Sequence, residues 1–109
     1  MVREVDKYTY RVMWSEEDEE FVGLCAEFPG LSWLAAGPQD ALRGIRTVVR
    51  TCVEDMASAG DRVPDAISVR KYSGKFMVRV PPEIHRHLAI EAAESGISLN
   101  RVVSAKLAQ

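Results

Sequence analysis

The sequence predicts an α+β protein in two parts, a sheet domain over residues 1–72 and a smaller unit over residues 73–109. Three observations carry this. Period-two alternation recurs through the first third of the chain, as in Tyr8, Tyr10, Val12 and Trp14 against Lys7, Thr9, Arg11 and Met13. A single long amphipathic stretch then lies between Gly37-Pro38 and Gly60. Finally, across Pro81-Pro82 the apolar period changes from two to four, the signature of a strand handing over to a helix.

Lys7–Trp14 is the first expected strand, rich in aromatic and β-branched residues. Ser15–Glu20, SEEDEE, concentrates like charge that a sheet interior cannot hold, so it is the solvated tip of a hairpin. It has no glycine turn or ligand spacing that would make it a cation cage. Phe21–Phe28 is the returning strand, turned by Pro29-Gly30, and Leu31–Ala36 is the third. Gly37 at the N-cap, Pro38 at N1 and Asp40 near the positive helix end start a helix. It runs to about Ala59 with Leu42, Ile45, Val49, Cys52 and Met56 as its apolar stripe, widened by Ala41 and Val48, before Gly60 stops it. Arg43, Arg46 and Arg50 form the solvated side of that helix. Ala66–Tyr72 is a fourth strand, giving the order β-β-β-α-β for this domain.

The second unit is expected to hold a strand, Lys75–Val80, with Lys75, Met77 and Arg79 on one face and Phe76, Val78 and Val80 on the other. Pro81-Pro82 ends it, since proline supplies no N–H to a ladder. A helix from Glu83 places Ile84, Leu88 and Ala92 on one face until Gly96; Ser98 caps a last helix with Leu99, Val102, Val103 and Leu107 as its stripe. So small a unit cannot bury a core alone: the strand has two unpaired edges and the helices no third layer. A second copy answers both needs, pairing two strands antiparallel over four helices.

KFMVRVPPEIHRHLAIEAAESGISLNRVVSAKL resembles the ribbon-helix-helix fold of dimeric DNA-binding repressors. The resemblance implies that Lys75, Met77 and Arg79 enter the major groove of operator DNA. Methionine can touch a thymine methyl but makes no bidentate contact, so base reading leans on Lys75 and Arg79. It also implies a phosphate at the start of the last helix, against Ser98 and the N–H groups of Leu99 and Asn100. The dimer core would be Phe76, Val78, Val80, Ile84, Leu88, Leu99 and Val103.

Phe21–Pro29 with the long helix, GDRVPDAI and the C-terminal stretch together resemble the HicB antitoxins of bacterial toxin–antitoxin pairs. This implies a degenerate ribonuclease-H-like N-terminal domain that binds and blocks a HicA-like, RNA-cleaving toxin, and a C-terminal domain that represses the operon. The chain departs from the family's C-P-[DE]-x-P-G pattern, reading Cys25-Ala26-Glu27-Phe28-Pro29-Gly30. Its helix also starts at Gly37-Pro38-Gln39-Asp40 in place of a threonine-initiated acidic start. The alternative is a stand-alone ribbon-helix-helix repressor whose N-terminal domain serves oligomerisation or ligand sensing.

Charge distribution agrees with either reading. Residues 1–72 hold 9 Lys and Arg against 13 Asp and Glu, a net of −4, and residues 73–109 hold 5 against 3, a net of +2. An acidic body suits a basic toxin and a basic tail suits DNA. No run is long enough to span a bilayer and MVREVDKYTYRV lacks the apolar block of a secretory signal, so a cytoplasmic protein is expected. Cys25 and Cys52 match no metal-ligand spacing and are expected as buried thiols of a reducing compartment. Catalysis is not expected, nor any cofactor or metal: Glu27 and Asp55 are the only acids on strand or helix positions suited to a two-metal nuclease, Glu54 is solvated or paired with Arg50, and no Ser/His/Asp or Cys/His set exists. His85 and His87, two apart on a helix, are expected to be exposed or at an interface. The expected assembly is a homodimer or a higher oligomer, with no membrane partner.

Overall fold

A hairpin and a third strand, crossed by one long helix, build the first unit. The computed structural model describes residues 3–109, so the first two residues of the predicted sheet domain lie outside the described part. The chain is α+β and divides into two compact units, Met1–Tyr72 and Ser73–Gln109. No helix among the described residues is long and apolar enough to cross a membrane.

The first unit orders its strands β1 (Tyr10–Ser15), β2 (Glu20–Cys25) and β3 (Ser32–Ala35), all antiparallel, with β2 central. Tyr10 stands opposite Cys25, Val12 opposite Gly23, and Gly23 in turn opposite Trp33. The acidic run makes the turn between β1 and β2, where Glu19 takes a positive φ of 53°. Helix α2 (Pro38–Ser58) packs on one face of all three strands. Ala41, Ile45 and Val49, four residues apart, are its fully buried positions.

The apolar stripe is therefore centred one position away from where Leu42 suggested, and Leu42 itself is exposed. Gly23 and Gly44 account for this. A Cβ at Gly23 would lie 2.8 Å from Ile45 Cγ2 and would overlap the carbonyl of Ala41, so β2 and α2 meet where one side chain is missing. A Cβ at Gly44 would run into the ring of Trp33. The core gathers Val5, Tyr8, Cys25, Ile45, Val49 and Ala66, with Tyr10, Phe28, Leu31, Val53 and Val63 around it.

Three strand expectations are corrected here. The first strand begins at Tyr10, because residues before it form a short helix α1 (Glu4–Lys7) and the Thr9 N–H is taken by Glu27 Oε1 at 2.9 Å. The returning strand stops at Cys25, where Phe28 N–H bonds back to Cys25 O at 3.1 Å and the chain turns. The fourth strand, Ala66–Tyr72, does not form. The Ala66 N–H goes to Glu4 Oε1 at 2.8 Å and the Ile67 N–H to Glu27 Oε2 at 2.9 Å, and Ile67–Val69 coils into a 3₁₀ turn. Side-chain carboxylates have taken the donors a ladder would need. The unit is α-β-β-β-α with a tethered C-terminal segment.

In the second unit, α3 (Pro82–Ser95) starts one residue before the expected Glu83, with Pro82 at N1. Gly96 ends it in the left-handed region at φ 69°, and Ile97 N–H returns to Ala92 O at 3.1 Å. Helix α4 (Leu99–Leu107) is capped by Ser98, whose Oγ accepts the Arg101 N–H at 3.1 Å. The two helices pack through Ala92 and Val102, both buried.

Lys75–Val80 is not a strand in the single chain. All six residues are exposed, and no segment of this unit pairs with them. A strand exists only by hydrogen bonding to a neighbour, and one copy of so short a unit has none to offer.

Candidate functional site

Several of the exposed and half-buried apolar residues of the second unit lie together. Phe76 is 75% exposed, Val78 59% and Ile84 48%, whereas Leu88, Leu99 and Val103 are half-buried. Phe76, Val78, Val80, Ile84, Leu88 and Val103 line one open groove of about 650 Å³, together with Leu107. Of the residues proposed for a dimer core, six of seven thus surround one groove; Leu99 does not line it. The stripe of α3 grades along its length, with Ala92 buried against α4, Leu88 half-buried and Ile84 open.

Met77 and Arg79 alternate with the groove residues in sequence and do not line the groove, and Met77 is 87% exposed. Lys75, expected on the same face as these two, itself borders the groove. Among the described residues, neither Lys75 nor Arg79 joins an ion pair. Two of this unit's three acids are engaged elsewhere: Glu83 holds Arg86 at 2.9 Å and His87 at 3.1 Å, and Glu91 holds Lys106 at 3.2 Å. His87 thus has a hydrogen-bond partner in Glu83 on the exposed side of α3, and His85 is exposed. Among the described residues of this unit, Lys75, Arg79 and Arg101 are the Lys and Arg side chains that join no ion pair.

At the start of α4, Ser98 is occupied as a cap, and its own carbonyl accepts the Val102 N–H at 3.1 Å. Ser98 Oγ is therefore committed to the helix, and an anion there would meet the first-turn N–H groups of Leu99 and Asn100. Asn100 also borders the groove.

In the first unit, Glu27 has a structural task that its sequence position did not disclose. Its two oxygens accept from Thr9 N (2.9 Å), Thr9 Oγ1 (3.2 Å) and Ile67 N (2.9 Å), and Cys25 Sγ lies 3.5 Å away. Partial burial opposes its charge, but the N–H groups of Ile67 and Thr9 outweigh that and hold its carboxyl below the usual glutamate range. Burial pushes the neighbouring Cys25 thiol up, which makes it a poor nucleophile. Cys52 is half-buried, so only Cys25 is a fully buried thiol. Asp55 and Glu54 are exposed on α2, and no Glu54–Arg50 pair forms among the described residues. No group of three or more His, Cys, Asp or Glu that could hold a metal occurs among the described residues.

The arginine row of α2 is not uniformly solvated. Arg43 pairs with Asp40 at 2.9 Å in the open, but Arg46 bonds Asp6 at 2.7 Å and lies over the Tyr10 ring, 5.1 Å from its centroid. Arg46 thereby ties α2 to α1 and β1. Tyr10 donates to Val5 O at 2.7 Å, and burial pushes its hydroxyl up to about 12. An acid six positions into the chain and an arginine forty residues later carry no local spacing signal, so this link was beyond sequence periodicity.

No curated protein and no solved structure matches the chain. Residues 67–107, the segment that holds α3, α4 and the groove, match the family model described as HicB family, which supports a HicB-type protein and suggests a role connected with toxin–antitoxin pairs.

Proposed function

We propose that the chain is an antitoxin that neutralises a HicA-like, RNA-cleaving toxin and represses its own operon as a dimeric ribbon-helix-helix protein. One observation carries the reading. The residues that alternate with Lys75, Met77 and Arg79 open onto a single apolar groove with α3 and α4, inside the segment that matches the family. Filling that groove with a second copy would pair Lys75–Val80 with itself and set the three alternate residues in a row on the outer face, as β-ribbon readers require. The unit most acidic in sequence, residues 1–72, is left to bind the basic toxin; the reading assigns the chain no catalysis and places it in the cytoplasm with its operon.

A second reading has its own observation. The family match begins at residue 67 and leaves the sheet unmatched. That favours a stand-alone repressor whose first unit serves oligomerisation or ligand sensing.

Fluorescence anisotropy on the chain's own upstream DNA and on scrambled DNA, across a salt series, tests the DNA half. Selective binding with a negative salt slope is expected. Equal weak binding to both DNAs overturns repression by the chain alone. Co-purification with the product of an adjoining short basic reading frame separates antitoxin from stand-alone repressor.

A further inference from the structure

The sheet of the first unit has a second face. Gly23 and Trp33 are directed at α2, so the residues one position along each strand point the other way. Met13 stands opposite Val22, and Val22 opposite Leu34, which makes an apolar row across all three strands. Met13 is 45% exposed and Leu34 42%, and within this unit α2 is the helix packed on the strands, all on the opposite side. An uncovered row across a whole sheet is the kind of surface that marks a partner site.

We infer that this open face, with the hairpin tip beside it, is where a basic protein docks. The inference rests on the antitoxin reading and names the surface it would use. Charge selects the occupant. The row lies next to Glu16, Glu17, Asp18, Glu19 and Glu20, five consecutive carboxylates, and no Lys or Arg pairs with any of them among the described residues. Their bonds are local and neutral: Trp14 Nε1 donates to Glu16 at 2.6 Å, and Ser15 Oγ to Asp18 at 2.8 Å. A second copy laid on this face would bring the single cation of the face, Arg11, against five acids. A partner with several lysines or arginines around an apolar spot satisfies both the row and the tip.

The test titrates the full chain with the purified product of the short reading frame adjoining its gene, at low and high salt. Met13→Lys with Leu34→Lys is expected to weaken binding by about a hundredfold, a loss on the scale of a central contact in an interface. Glu17→Lys, in the exposed turn, is expected to slow association about tenfold at low salt and little at high salt. Thermal melting and upstream-DNA binding serve as controls and should match the parent chain; if the double variant fails to fold, the turn variant still reads the tip. Unchanged binding in the folded variants overturns this inference and leaves the antitoxin reading standing. No binding by the parent chain overturns both. A double variant that loses only self-association, by sedimentation, assigns the face to a second copy and also overturns it.

Discussion

Glu27 Oε2 accepts the Ile67 N–H at 2.9 Å, across forty residues, while its other oxygen accepts the Thr9 N–H at the entry to β1. One carboxylate thus takes a donor at the entry to the first strand and, together with Glu4, takes donors that a fourth strand would need. It also pins the segment that leads out of the sheet unit.

Replacing Glu27 should show this directly. Glu27→Ala is expected to destabilise the first unit by about 1–3 kcal/mol, since it leaves two backbone donors without their partner. Urea unfolding followed by the fluorescence of Trp14 and Trp33 measures it. A nuclease assay with magnesium or manganese belongs beside it, because metal-dependent turnover lost in the same variant would make Glu27 catalytic.

The same carboxylate predicts a pH dependence. Its pKa is lower folded than unfolded, so its stabilisation is fully present above the ordinary glutamate value and is lost as pH falls through the depressed folded value. Asp6, lowered mainly by the Arg3 N–H, acts in the same direction. Melting temperature should therefore fall on acidification below the ordinary carboxylate range, and fall less steeply in Glu27→Gln.

Close approach of β2 and α2 makes Gly23 intolerant. Gly23→Ala is expected to cost about 1–3 kcal/mol, because the added methyl meets Ile45 and the Ala41 carbonyl, neither of which is free to move. Gly44→Ala should instead displace Trp33, which is half exposed, and should be read by a shift in tryptophan emission.

At the DNA face, Arg79→Ala is expected to weaken operator binding by about 1–3 kcal/mol if it reads guanine through two hydrogen bonds. Unchanged affinity in anisotropy would remove Arg79 from the readers.

Groove residues should behave differently. Leu88→Ala or Phe76→Asp is expected to lower the dimer fraction in sedimentation and to reduce DNA binding in step, with a melting point that depends more strongly on protein concentration. A monomer that held operator tightly would contradict the dimeric scheme.

Local chemistry alone determined much of this protein. Gly37-Pro38 and Gly60 bound α2, Pro82 and Gly96 bound α3, and Ser98 caps α4, because each acts through its own backbone or the next turn. The hairpin and its acidic turn were equally legible, since alternation and like-charge crowding are properties of neighbours. Period two and period four sort side chains before any partner is present, which groups Phe76, Val78, Val80, Ile84 and Leu88, but they did not foresee Lys75 at the groove or Leu99 away from it. What only tertiary structure decided is where backbone donors went. Glu4 and Glu27 took the N–H groups of Ala66 and Ile67, so a segment with strand-like composition became a turn. Gly23 and Gly44 set the line along which α2 lies, and so moved the stripe from Leu42 to Ala41. Lys75–Val80 shows the same limit from the other side: its alternation is written in the sequence, but a strand needs a neighbour, and periodicity cannot supply one.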